Sequence, residues 1–71
     1  MFKSEIKDNY FKLTLETFKE GATIEELEQH LKYYEKREEY LKCAGIKEGI
    51  DYHRFWTLFT LYQEHKKFSN D

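Results

Sequence analysis

Proline and valine do not occur in this chain of 71 residues, and cysteine occurs once, at Cys43. A single cysteine excludes a disulfide within the chain, so the small disulfide-stabilised class of proteins is excluded. A chain of this length buries little apolar area, and without a disulfide its 18% of aromatic residues must supply most of the burial. The length predicts a single domain over residues 1–71.

Long apolar segments are also missing. The longest apolar run covers a few residues near Phe55, whereas a helix that spans a bilayer needs about 20. The first residues carry charges at Lys3 and Glu5, where a secretion signal has its apolar segment. Together with the lone cysteine, these features predict a cytoplasmic location and no membrane partner.

Charge of one sign is not in excess. Charged residues make up 37% of the chain, but the formal net charge is only −2 and the isoelectric point is about 5.9. Acidic and basic residues are mixed along the chain, without a long block of either sign. The protein therefore has no bulk electrostatic attraction to nucleic acid or to anionic membranes.

Glycine is scarce and divides the chain into three segments, since it occurs only at residues 21, 45 and 49. Within the segments, apolar residues recur every three or four positions, as on one face of a helix. No run alternates in the manner of a strand, and no dipeptide typical of a tight hairpin occurs. The sequence predicts an all-α fold, a small antiparallel three-helix bundle with helices at roughly 3–20, 23–44 and 51–68.

The ends of the predicted helices have their own signals. Thr23 followed by Glu26 matches a capping box at the start of the second helix. Gly21 and Gly45 stand where left-handed caps would end the first and second helices. Asp51 is typical of an N-cap and predicts the start of the third helix.

The third segment, as a helix, is apolar over most of its circumference. One stripe contains Tyr52, Phe55, Phe59 and Tyr62, a second contains Leu58, Leu61, His65 and Phe68, and Trp56 widens the first. Two neighbours in a three-helix bundle do not easily cover so wide a surface. Either the first helix packs around it unusually closely, or another chain covers the remainder, most simply in a symmetric dimer.

The aromatic residues are expected to divide between the core and a binding surface. The positions that a three-helix core could use are Phe11, Phe18, Tyr34, Phe55 and Phe59. The surplus beyond what the core can hold consists of Tyr33, Tyr40 and some of Trp56, Tyr62 and Phe68, and it indicates a binding surface. Glu38 lies among apolar residues of the predicted second helix, so its carboxylate must either reach solvent or pair with a base.

No constellation typical of catalysis or metal binding occurs in the sequence. His30, His53, His65 and Cys43 share none of the local spacings of metal sites. Cys43 is predicted in the last turn of the second helix, where the dipole raises a thiol pKa, so we interpret it as a small core residue. The sequence predicts no enzymatic activity, no metal and no cofactor.

Nucleic-acid binding is the alternative function. The segment Thr23–Leu27 resembles the first helix of many helix-turn-helix units, but no turn former follows Leu31. The segment in the place of a recognition helix contains Glu35, Glu38 and Glu39, which repel phosphate. A nucleic-acid-binding transcriptional regulator would have to use the basic residues of the second helix, Lys32, Lys36, Arg37 and Lys42.

Protein–protein binding is the function that the surface residues favour. Tyr33, Arg37 and Tyr40 lie on the side of the predicted second helix away from its apolar seam, and these residue types are enriched in interface hot spots. Two other interpretations are open. In the first, Arg37 only stacks between the two tyrosines on a solvated face. In the second, the bundle packs over both rings.

The leading hypothesis is a small intracellular helical protein that acts by binding another protein, as an adaptor, inhibitor or regulator, and that forms a homodimer. A third interpretation is a subunit that is stable only inside a larger assembly. The candidate partner-binding residues are Tyr33, Arg37, Tyr40, Trp56, Tyr62 and Phe68.

Overall fold

The computed structural model describes residues 2–69, and the side chains of residues 5–64. Three helices make up this part of the chain, α1 (Phe2–Lys19), α2 (Ile24–Lys36) and α3 (Tyr40–Ser69), with no strand among the described residues. The prediction of an all-α three-helix bundle is confirmed.

The helices pack with α1 parallel to α3 and α2 antiparallel to both. Lys7, near the start of α1, forms an ion pair with Glu48 of α3 at 2.8 Å, and Phe18, near the end of α1, stacks on His53. The contacts of α2 with α3 run in the opposite order, in the pairs Leu31–Cys43 and Glu28–Arg54. The short connections therefore make each helix antiparallel to the next one along the chain.

The predicted capping signals around the first connection are confirmed. The Thr23 hydroxyl accepts a hydrogen bond from the Glu26 N–H at 3.2 Å, which satisfies one of the free donors at the start of α2. Gly21 has a φ of +102°, and its N–H and that of Ala22 donate back into the last turn of α1. This is the left-handed cap for which glycine is favoured.

The boundary between the second and third helices lies at residues 37–39 and not at residues 45–50, which corrects the prediction from the glycines. α2 ends at Lys36, and Glu38 adopts a left-handed conformation with a φ of +59°. Its N–H and that of Glu39 donate back into the last turn of α2, each at 3.0 Å. The spacing of apolar residues gives no sign that a glutamate ends a helix in the left-handed conformation, which is more usual for glycine. Glu38 is exposed there, the first of the two alternatives predicted for it.

Gly45 and Gly49 lie inside α3, where they allow α1 to pack closely against it. A Cβ atom on Gly45 would collide with the carbonyl oxygen of Lys7 and lie 2.9 Å from the Cβ of Tyr10. A Cβ atom on Gly49 would lie 2.5 Å from the Cγ2 of Thr14. The prediction that Gly45 caps the second helix is wrong, because both glycines serve the approach of two helices.

The core is small and lies between the first half of α3 and the two shorter helices. Its buried members are Phe18, Leu27, Ile46 and Ile50, and the partly buried residues packed on them are Tyr10, Ala22, Ile24, Leu31 and Tyr34. The expectation that Phe55 and Phe59 belong to this core is wrong, since their side chains are 60% and 43% exposed. The reason is that α3 begins earlier than predicted, so the bundle ends before these residues.

Cys43 lies in the first turn of α3, not in the last turn of the second helix as predicted. Its side chain is buried, and its thiol donates a weak hydrogen bond to the carbonyl oxygen of Leu31 at 3.8 Å. Burial raises the pKa of this thiol above its ordinary value, with a further contribution from the negative charge of Glu35. The interpretation as a small core residue therefore agrees with its burial.

We expect Cys43 to react with a thiol reagent such as dithionitrobenzoate on the order of 100-fold more slowly in the native protein than in urea. The physical reason is that both the low thiolate fraction and the burial of the sulfur oppose attack. The release of the coloured thiolate measures the rate. A Cys43→Ser, Thr57→Cys variant, with its thiol on an exposed position, is the control and should react quickly in both conditions. Equal rates for Cys43 in buffer and in urea would contradict the prediction.

Candidate functional site

The second half of α3 projects beyond the other two helices. α1 ends beside His53, whose ring stacks on Phe18 at 3.8 Å between centroids. α2 contacts α3 at the same level, through an ion pair of 3.5 Å between Arg54 and Glu28. α3 is about 45 Å long at 1.5 Å per residue, and the molecule measures 51 Å along its longest axis. We call residues 52–64 the α3 arm.

The α3 arm carries an unusual amount of exposed apolar surface. Seven of its apolar side chains are between 43% and 67% exposed: Tyr52, Phe55, Trp56, Leu58, Phe59, Leu61 and Tyr62. Its polar strip, on the other side of the helix, is narrow and contains His53, Thr57, Thr60 and Glu64. Contiguous apolar patches above a few hundred Å² are rare on monomers and commonly mark binding surfaces.

The aromatic rings of the α3 arm contact one another and form one continuous surface. Phe59 packs edge-to-face on Trp56 at 5.4 Å and stacks on Phe55 at 6.2 Å between centroids. Tyr52 lies 5.9 Å from Trp56 and also meets Phe11 of α1 edge-to-face at 5.6 Å. The base of this aromatic surface is thus held against the bundle, and the remainder is presented to solvent.

An open groove lies at the base of the α3 arm, beside the end of α1. Its volume is about 370 Å³, and it is lined by Leu15, Phe18, Lys19, Tyr52, His53 and Trp56. Tyr52 and Trp56 belong both to the groove and to the aromatic surface, so the two are continuous. The lining offers mainly aromatic and aliphatic contacts, which suits an apolar side chain of a binding partner.

The predicted patch of Tyr33, Arg37 and Tyr40 surrounds the connection between α2 and α3. Tyr33 is 55% exposed and Tyr40 66% exposed, so the interpretation in which the bundle covers both rings is wrong. The Arg37 guanidinium lies 5.5 Å from the Tyr33 ring centroid and donates to the Tyr33 hydroxyl at 3.5 Å. Its Nε also donates to Glu39 at 2.9 Å. Arg37 is therefore already partnered within the chain.

Glu39 also binds a second base, Lys42. The Lys42 ammonium donates to its carboxylate at 2.6 Å and lies 5.2 Å from the centroid of the Tyr34 ring. The hydrogen bond from Lys42, and then that from Arg37, lowers the pKa of the Glu39 carboxyl against the opposing effect of burial. Two of the four basic residues that nucleic-acid binding would require, Arg37 and Lys42, thus share the single negative charge of Glu39, and Lys32 and Lys36 are the other two.

The predicted binding residues lie on two separate surfaces. Tyr33, Arg37 and Tyr40 surround the second connection, and Trp56 and Tyr62 lie on the α3 arm, about 24 Å or more away along the helix axis. The side chain of Phe68 lies outside the described residues. The exposed apolar side chains of the α3 arm that the predicted set does not include are Tyr52, Phe55, Leu58, Phe59 and Leu61. The signal that could have found them is the wide apolar arc of the third segment.

Other kinds of site receive no support from the part of the chain that the structure describes. Among residues 5–64, no group of three His, Cys, Asp or Glu side chains converges as a metal site would require. No helix of the described residues is at once long enough and apolar enough to cross a membrane. No family model matches this chain, and comparisons with characterised proteins and with solved structures likewise find no match.

Proposed function

We propose that this protein acts by binding another protein, as an adaptor, inhibitor or regulator, and that the α3 arm is its main contact surface. The observation that supports the proposal is the set of seven half-exposed apolar side chains on a helix that extends beyond its bundle. Burial of apolar surface contributes about 25 cal/mol per Å², so covering the arm would supply a large driving force for association.

The composition of the α3 arm also suits a protein partner. Aromatic side chains bring large contact area at a low cost in side-chain entropy, and the arm carries Tyr52, Phe55, Trp56, Phe59 and Tyr62 within three turns. Arg54 borders this surface, as polar residues border the core of an interface.

The patch around Tyr33 and Arg37 is the weaker candidate for the main contact. The polar groups of Arg37 are bound to Tyr33 and Glu39 of the same chain, so a partner would have to replace existing hydrogen bonds. Net gains from exchanging one hydrogen bond for another are small. The aromatic surface of the α3 arm has little internal competition of this kind, because the groups that it exposes are mainly apolar.

Site-specific photo-crosslinking in the cells that produce the protein tests the proposal. We expect benzoylphenylalanine at position 59 to give a discrete adduct with a partner, identified by mass spectrometry, because Phe59 lies within the apolar surface. The same group at position 57, on the polar strip of the same helix, is the matched control and should give little product. Equal adducts from positions 57 and 59, or adducts only from position 33, would contradict the assignment of the arm.

A further inference from the structure

The main aromatic stripe of the α3 arm has the same order in both directions. Tyr52, Phe55, Phe59 and Tyr62 are separated by three, four and three residues. This spacing is that of one coiled-coil seam, so the four side chains follow a single line along the helix. Because the order of residue types and their spacings are both symmetric, a second copy placed antiparallel sets tyrosine opposite tyrosine and phenylalanine opposite phenylalanine.

We infer that the partner bound by the α3 arm is a second copy of this chain, with the two arms packed antiparallel about a two-fold axis at the level of residue 57. The inference rests on the proposed function, since it names the occupant of the same surface. In this register Tyr52 lies opposite Tyr62 of the other copy, and Phe55 lies opposite Phe59. The two-fold axis makes each of these contacts occur twice, once from each copy, as in an isologous interface.

The residues that border the stripe agree with this arrangement. Leu58 and Trp56 lie on opposite sides of the stripe, one residue from its midpoint in each direction. In an antiparallel pair, positions of this kind meet their own counterparts across the two-fold axis, so leucine meets leucine and tryptophan meets tryptophan. Both are exposed in the single chain, at 67% for Leu58 and 45% for Trp56. A symmetric apolar border would therefore enclose the stripe on both sides.

The area of the apolar surface is sufficient for a stable dimer. Six of the seven exposed apolar side chains of the α3 arm, all except Leu61, lie on the stripe or beside it. At about half exposure and ~200 Å² for a whole side chain, they offer roughly 650 Å² per copy. The pair would bury roughly 1,300 Å², which falls within the range of about 1,200–2,000 Å² for specific interfaces.

An antiparallel pair also places the two bundles far apart. α1 and α2 pack on the first half of α3 only, so the arm leaves the bundle at one end. Parallel arms would bring both bundles side by side at the same end of the pair. Antiparallel arms place the bundles at opposite ends, and the opposed helix dipoles favour the same orientation.

Solution mass over a wide concentration range is the first test. We expect twice the chain mass of 8.8 kDa by light scattering, and a concentration-dependent return toward the monomer on dilution. Phe59→Glu should weaken the dimer by at least about 100-fold, because each substitution occurs twice at the centre of the interface. Thr57→Glu, on the polar strip, is the matched control and should leave the mass unchanged. Circular dichroism is the check that both variants remain helical.

Crosslinking with a short bis-maleimide tests the orientation in a Cys43→Ser background. Leu58→Cys should crosslink to its own copy, whereas Thr57→Cys should not. Tyr52→Cys should crosslink efficiently to Tyr62→Cys in a mixture of the two proteins, but poorly to itself. Efficient self-linking of Tyr52→Cys would overturn the antiparallel arrangement, because a parallel pair brings equal residues together along the whole arm.

The outcomes separate this inference from the proposed function. A monomer at all concentrations overturns the second copy as partner, and the photo-crosslinks from position 59 then decide whether the arm binds a different protein. A dimer that Phe59→Glu leaves intact overturns the assignment of the arm to the dimer contact. A wild-type mass of two chains, its loss in Phe59→Glu and the antiparallel crosslinks would together support the inference.

Discussion

Gly45→Ala is expected to destabilise the fold by about 1–3 kcal/mol, although the same change in an exposed helix stabilises by about 1 kcal/mol. The new Cβ would collide with the carbonyl oxygen of Lys7 and lie 3.0 Å from the backbone nitrogen of Phe11. Backbone atoms have no rotamers through which to move away, so α1 must shift from α3. Thermal unfolding followed by circular dichroism measures the change, at roughly 4–8 °C per kcal/mol for a chain of this size.

The neighbouring glycine supplies a contrast to this prediction. Gly49→Ala collides with the side chain of Thr14, at 2.5 Å from its Cγ2, so Thr14→Ser should recover part of the Gly49→Ala loss. It should recover nothing in Gly45→Ala, where the obstruction includes backbone atoms. A rise in stability for Gly45→Ala would mean that α1 does not pack closely at this point, and would contradict the role given to the glycine.

Leu27→Ala is expected to cost about 3 kcal/mol of the free energy of unfolding. Leu27 is the largest fully buried side chain among the described residues, with 2% of its surface exposed, and it packs with Phe18, Ile46 and Ile50. A core this small supplies a few kcal/mol in total, so the loss would leave a substantial unfolded fraction at room temperature. Urea denaturation with a linear extrapolation measures it.

Leu13→Ala is the matched control for this core prediction. It removes the same atoms from a helical leucine that is 53% exposed, so we expect a change well below ~1 kcal/mol. Similar losses at both positions would contradict the placement of the core between α1, α2 and the first half of α3.

Local signals in the sequence were sufficient for the fold class and for the first connection. The 3–4 spacing of apolar residues identifies helices, and Gly21 and Thr23 mark where one ends and the next begins. These signals act over one or two turns, through hydrogen bonds between residues close in the chain. The local structure that these signals favour therefore does not depend on how the helices pack.

The role of a glycine inside a helical segment was not decided by its neighbours in sequence. Gly45 has the same residue type as a left-handed cap, but its function depends on Lys7 and Tyr10, which are more than 30 residues earlier in the chain. Conversely, Glu38 forms the cap that was expected from glycine. Tertiary contacts outweigh an intrinsic preference of about 1 kcal/mol, so either residue type can take either role.

For the candidate site, the spacing of apolar residues implied a helical chain. The short length and the lack of a disulfide implied a small core, which the aromatic residues of the chain exceed. That surplus follows from composition and periodicity alone, since a helix apolar around most of its circumference needs partners on several sides. Which rings remain uncovered depended on where α3 begins. The left-handed turn at Glu38 places the start of α3 at Tyr40, and the close packing of α1 at Gly45 and Gly49 means that α1 and α2 cover the first half of α3 only. The second half, with Phe55 and Phe59, is left exposed because no other described helix reaches it.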